Sequence, residues 1–120
     1  MKPSEIITVD AKRNGVNPIP ILNQLGRNLK SKNAILMQSG NTVLVVNKIG
    51  KGTAELHLYT ADDRMAMIRA LREFIAKIRE TDLDAVYGKA DNPQIIQILK
   101  ALGVEVTDSD LPEYNWKALV

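Results

Sequence analysis

Apolar positions change their spacing along this chain, and the changes mark its elements. Ile68, Leu71, Ile75 and Ile78 recur at i, i+3, i+7 and i+10, while Arg72, Lys77 and Arg79 lie mostly off that stripe. A period near 3.6 with one apolar face predicts an amphipathic helix, here from about Asp62 to Glu80. Ile21, Leu22, Leu25 and Leu29 keep similar spacing in "IPILNQLGRNLKSK" and predict an earlier helix. Gly26 weakens it by about 1 kcal/mol relative to alanine. "DNPQIIQILKAL" predicts another: Asp91 or Asn92 can cap it, Pro93 suits its first position, and Gly103 closes it as a left-handed C-cap.

Elsewhere the period drops to two. "NAILMQ" and "TVLVVNKI" flank the turn "SGN" and predict a hairpin, and "KIGKGT" turns the chain into "AELHLYT". In that strand Leu56 and Leu58 share one face, and Glu55, His57 and Tyr59 the other. "AVYGKA", "VEVT" and "YNWKALV" predict three later strands, the last a candidate edge open to a second copy or another chain. "SEIITVDAK", with Ile6, Ile7 and Val9, predicts a short first strand before the turn-rich "NGVNPIP". The order is β-α-β-β-β-α-β-α-β-β. It implies an α/β (α+β) fold, one mixed sheet with helices packed on its faces. No repeat or low-complexity segment interrupts residues 1–120, which read as a single domain.

Composition narrows the chemistry. The chain has 120 residues and a net charge of +2, and its acids and bases are mixed. Arg64, Arg69, Arg72 and Arg79 alternate with Glu73 and Glu80, which describes a solvated helix face rather than a nucleic-acid surface. There is no cysteine and one histidine, so thiolate and His-rich metal sites are excluded. No apolar run approaches a membrane span. "MKPSEIITVD" lacks the apolar stretch of a signal peptide, and the expectation is a protein made in the cytosol.

The junction "YTADDRMAMIRAL" has the place of a phosphate site and the chemistry of a helix cap. It contains no glycine and two adjacent aspartates, Asp62 and Asp63. "TADD" reads as a capping box with Thr60 at the N-cap and Asp63 in place of the usual glutamate. Each aspartate favours the helix by roughly 0.3–1 kcal/mol and repels a phosphate. Near the C-terminus, "LPEYNWKALV" offers Tyr114, Trp116 and Leu119 as candidate anchors of a protein interface. The competing reading places Trp116 in the core.

Two stretches carry a family resemblance. "AELHLYT" leading into a helix, and "NPQIIQILKALGVEV", in which Asn92 opens a helix and "LG" closes it, resemble the acyl-CoA N-acyltransferase (GNAT) superfamily. The similarity runs from about Asn33 to the C-terminus. It implies acetyl-CoA as cofactor and acyl transfer to an amine. It implies cofactor contacts at Arg64, Arg69 and Asn92, a base at Glu55 or His57, and a proton donor to the departing thiolate. The family's phosphate loop puts glycines where this chain has Met67 and Arg69, and its donor tyrosine falls on Leu99, leaving Tyr87 as a substitute.

With those positions altered, the expectation is a non-catalytic GNAT-like protein that binds no cofactor; acetyl-CoA-dependent N-acetylation is the alternative. A narrower pattern, "RMAMIRALREFIAKIRETDLDAVYGKADNPQIIQILKALGVEV", resembles small degenerate GNAT-like proteins of tailed bacteriophages, including the internal virion protein A family of short-tailed phages. That resemblance implies a virion or assembly component made in the host bacterial cytoplasm. Its partners would be other virion proteins or a second copy, not nucleic acid or membrane.

Overall fold

The computed structural model describes residues 1–89 and 93–120. Its elements are α1 (Pro3–Arg13), α2 (Pro18–Lys30), β1 (Ala34–Ser39), β2 (Thr42–Gly50), β3 (Thr53–Thr60), α3 (Arg64–Arg79), β4 (Ala85–Gly88), α4 (Pro93–Ala101), β5 (Glu105–Asp108) and β6 (Trp116–Leu119). The six strands form one sheet in the order β1-β2-β3-β4-β6-β5.

The expected first strand is a helix. Ile6, Ile7 and Ala11 are buried on one side of α1, and Ile7 and Ala11 stand one turn apart. Pro3 lies in the first turn, the Glu5 carboxylate accepts the Lys2 N–H at 2.9 Å, and Lys12 and Arg13 sit in the last turn. These are ordinary helix-terminus signals. Two adjacent isoleucines fit a strand or a helix, and here the packing surface decides. The observed order is therefore α-α-β-β-β-α-β-α-β-β.

Both helical layers follow from the alternation on the strands. Leu44, Val46, Ala54, Val86, Trp116 and Ala118 face α3 and α4. Helix α3 meets them with Ala70, Leu71, Phe74, Ile75 and Ile78, which contains most of the predicted stripe, and α4 adds Ile98 and Leu99. The opposite face places Val43, Val45 and Ala34 against Ile6 of α1. Helix α2 starts where the Asn17 side chain accepts the Ile19 N–H at 3.1 Å, but it buries no residue fully. It rests on the sheet through half-buried Ile21, Leu22 and Leu25.

The cap of α3 differs from the capping-box expectation. Asp63 is the N-cap, and its carboxylate accepts the Ala66 N–H at 2.9 Å. Thr60 instead accepts the Asp62 N–H at 3.0 Å and bonds the Thr42 hydroxyl at 2.7 Å. Asp62 accepts from the Asn41 N–H at 2.9 Å and the Thr42 hydroxyl at 3.0 Å, so it ties the β1–β2 turn to the α3 junction. Gly40 makes that turn possible at φ +58, a value costly for a residue with a Cβ. At the far end of α4, Gly103 takes φ +82 as expected of its C-cap. The proposed caps Asp91 and Asn92 lie outside the described residues. Strand β6 is not an edge: it lies between β4 and β5.

Candidate active site

The middle of the sheet opens. Strands β3 and β4 run parallel through Thr53↔Ala85, Ala54↔Val86 and Glu55↔Tyr87, and their pairing stops there. β3 continues to Thr60 along β2, while β4 turns to β6 through Gly88↔Trp116. Between the parted strands the α3/α4 side holds a slot of about 280 Å³. Leu44, Leu56, Leu58, Leu71, Leu99 and Trp116 supply its apolar wall, and Lys89 contributes to its lining. On the α1/α2 side lies a cleft of about 430 Å³, formed by Ile21, Gln24, Leu25 and Asn28 of α2 over Asn47, Glu55, His57 and Tyr59. His57 and Tyr59 line both cavities, so the two meet at the gap in the sheet.

At this junction the structure brings Glu55 and His57 together. Glu55 Oε1 accepts from Asn47 Nδ2 at 2.9 Å and contacts His57 Nε2 at 3.2 Å, and Oε2 accepts the Tyr114 hydroxyl at 2.5 Å. Burial alone would raise the Glu55 pKa, but hydrogen bonds from Tyr114, Asn47 and His57 outweigh it and lower the value below its usual 4.5. The carboxylate is thus a weak base and a strong acceptor. An ionised carboxylate can only accept, so His57 Nε2 donates in this contact, and the neutral tautomer with that proton has its acceptor at Nδ1. The pair has the logic of a carboxylate-oriented imidazole, with His57 as the group able to take a proton.

The other candidates separate. Tyr87 lies beside Glu55 in register, but its hydroxyl donates to Asp110 Oδ1 at 2.8 Å, and it lines neither cavity. The hydrogen bond to Asp110 raises its pKa, reinforced by burial. It is therefore misplaced as a thiolate acid. Tyr114 is no free surface anchor either: its hydroxyl is held by Glu55, and burial together with that bond pushes its pKa up to about 12. Its ring stands 5.5 Å from that of Tyr87. Trp116 is 4% exposed and belongs to the core. Of the three proposed anchors only Leu119 is exposed.

Leu99 sits in the slot wall and offers no proton. Lys89 also lines the slot, with Nζ 5.6 Å from the Tyr114 ring centroid. Nothing in the local sequence pattern marked it. Arg64 lies with Arg72 in a groove of about 330 Å³ between α3 and α4, whereas Arg69 is exposed and does not line that groove. Arg72, two helical turns from Arg64, lines the groove that Arg69 does not. Asn92 lies outside the described residues. Among the described residues no group of acids and histidines is placed to hold a metal ion, and no helix is long and apolar enough to cross a membrane.

The fold as a whole has counterparts among solved structures. Ribosomal-protein-alanine N-acetyltransferase from Brucella melitensis superposes with a TM-score of 0.55 at 14% identity, covering 87% of this chain and 76% of its own. Ard1 from Thermoplasma volcanium gives 0.56 at 17% identity, covering 99% and 90%. The fold is GNAT-like. At these identities the likeness concerns the fold alone. No protein-family model matches the chain, and no curated protein matches it.

Proposed function

We propose that this GNAT-like protein is an acyl-CoA-dependent amine N-acyltransferase whose base is His57, oriented by Glu55. The observation that carries the reading is the meeting of two cavities at the parted strands, with the Glu55–His57 pair at their junction. An apolar slot on one side suits an acyl-pantetheine arm, and the cleft under α2 suits the acceptor. The solved acetyltransferases of the same fold support the reading by analogy.

Within the slot an acyl thioester supplies the acyl group. His57 Nδ1 accepts a proton from the incoming amine, and Glu55 holds the ring in place. Lys89 places positive charge at the slot, which stabilises a departing thiolate where Leu99 has no proton to give. Arg64 and Arg72 replace the missing glycine loop with side-chain contacts to phosphate. Calorimetric titration with acetyl-CoA tests the first half of the reading. Binding tighter than about 100 μM, roughly −5.5 kcal/mol, is expected; no binding at millimolar ligand overturns it. Turnover of an amine that survives His57→Ala unchanged would remove His57 from its role.

A second reading keeps the fold and drops the chemistry: a non-catalytic bacteriophage virion or assembly component. It is favoured by Leu99 in the slot, by side chains at Met67 and Arg69, and by Asp63 occupying the Ala66 N–H at the α3 start. It places the protein in the virion after synthesis in the host cytoplasm, bound to other virion proteins or to its own copies. Absence of acetyl-CoA binding together with stable association with particle proteins would select it.

A further inference from the structure

Helix α2 buries no residue fully, yet a chain of side-chain hydrogen bonds ties it to the candidate site. Arg27 Nη2 donates to Gln24 Oε1 at 2.8 Å, and Gln24 Nε2 donates to Asn28 Oδ1 at 3.0 Å. Asn28 Nδ2 donates to Asn47 Oδ1 at 3.4 Å, the longest link and the one that crosses from α2 to the sheet. Asn47 Nδ2 then donates at 2.9 Å to Oε1 of Glu55, its cross-strand partner in register. The two ends fix the polarity of the chain. A guanidinium only donates and an ionised carboxylate only accepts, so the three amides between them run head to tail. Reversing Asn47 would set its oxygen against the Glu55 carboxylate and its NH2 against that of Asn28. Gln24, Asn28, Asn47 and Glu55 all line the cleft beside His57.

We propose that Asn47 is a positioning residue for the Glu55–His57 pair, and that Asn28 makes this positioning depend on the seating of α2. The catalytic consequence rests on the acyltransferase reading above, but the coupling itself needs no ligand. Three donors converge on Glu55: Asn47 and His57 on Oε1, and the Tyr114 hydroxyl on Oε2. His57 reaches the carboxylate from the same strand and Tyr114 from the segment before β6, whereas Asn47 links it to the roof of the cleft. Hydrogen bonds in such a chain strengthen one another, so losing one link weakens the next. An acceptor that enters under α2 meets the chain that ends on the carboxylate holding the base, and its binding is thereby linked to the alignment of His57.

The test follows the Glu55 carboxyl carbon by 13C NMR as pH is lowered, in the wild type, Asn28→Ala, Asn47→Ala and the double variant. Against burial, hydrogen bonds from Tyr114, Asn47 and His57 lower the Glu55 pKa, so Asn47→Ala should move its titration to higher pH. Asn28→Ala should move it the same way by less, and the double variant no further than Asn47→Ala, because Asn28 acts through Asn47. Asn23→Ala, at an exposed α2 position outside the chain, should leave it in place. Asn28 is only half-buried and alanine favours the helix, so Asn28→Ala stays folded even where Asn47→Ala does not. With acetyl-CoA and an amine, Asn28→Ala should lower kcat about tenfold and leave the KM for acetyl-CoA unchanged. A Glu55 titration in Asn28→Ala identical to the wild type, or shifts that add in the double variant, overturns the coupling while the acyltransferase reading stands. An unchanged kcat in Asn28→Ala overturns the positioning role. A wild type that transfers no acyl group while the titrations move as expected overturns the acyltransferase reading and supports the coupling alone.

Discussion

The two faces of the sheet are built to different standards. Helix α3 buries five residues against the strands, among them Phe74 at 0% exposure, whereas α2 buries none and roofs a cleft. Both helices are amphipathic, so periodicity alone does not separate them. What separates them is the surface beneath. Under α3 the strands present leucine, valine and alanine; under α2 they present Asn47, Glu55, His57 and Tyr59. Helix α3 closes over its strands, whereas α2 leaves a cleft on the face where α1 alone packs tightly.

The largest expected effect breaks the first face. Phe74→Ala removes a fully buried ring from the α3 contact and should cost about 3–5 kcal/mol in urea unfolding. Leu25→Ala, on half-buried α2, should cost about 1 kcal/mol or less, since its site is already partly open to solvent. Equal costs would mean that α2 is packed as firmly as α3 and that the cleft is closed in solution.

Gly88→Ala comes next, because the new methyl must displace the indole of Trp116. Overpacking of this kind costs about 1–3 kcal/mol. A red-shifted tryptophan emission should accompany it, because the displaced ring moves toward water. An unchanged spectrum with unchanged stability would show that the ring has space the structure does not give it.

The polar face should reveal itself through pH. Glu55 has a lowered pKa in the fold, so its contribution is present above its unfolded value near 4.5 and is lost as pH falls through the folded value. Asp10, half-buried beside β3 with its carboxylate accepting the Thr60 N–H at 3.1 Å, is shifted the other way by burial, and falling pH relieves its cost. Glu55→Gln should therefore flatten the loss of stability as pH falls below 4.5, and Asp10→Asn should steepen the loss as pH falls toward 3.8. Parallel curves for Glu55→Gln and the wild type would separate the carboxylate from acid unfolding.

The comparison also explains what could be read in advance. Strands β1 to β3, both later helices and the Gly103 cap were legible because each rests on local spacing or a local turn. Helix α1 was not: Ile6 and Ile7 fit either period, and only the sheet they cover distinguishes them. The cap of α3 differs from the expectation because "TADD" holds three oxygen-bearing side chains within four residues, and the choice depends on the distant Asn41–Thr42 turn that draws Asp62 away. The pairing of Glu55 with His57 follows from their i, i+2 spacing on one strand face. Tyr114 and Lys89 come to that centre by tertiary folding alone, with Tyr114 59 residues from Glu55. Their roles had no local signal.

The smallest expected effect concerns the groove between α3 and α4, and it separates fold from binding. Arg72 is exposed on α3 and lines the groove together with Arg64, whereas Arg69 is exposed and does not line it. None of the three substitutions to alanine should change stability by more than about 0.5 kcal/mol, since each removes an exposed side chain. If the groove receives the phosphates of an acyl-CoA, Arg64→Ala and Arg72→Ala should each weaken its binding about three- to tenfold, more at low salt than at high salt. Arg69→Ala should leave it unchanged. Equal effects from all three would reduce the role of these arginines to general positive charge, because a nonspecific field does not depend on which side of the helix a guanidinium occupies. A loss confined to Arg64 and Arg72 would show that side chains have taken over what a glycine loop and bare helix N–H groups do elsewhere in this fold.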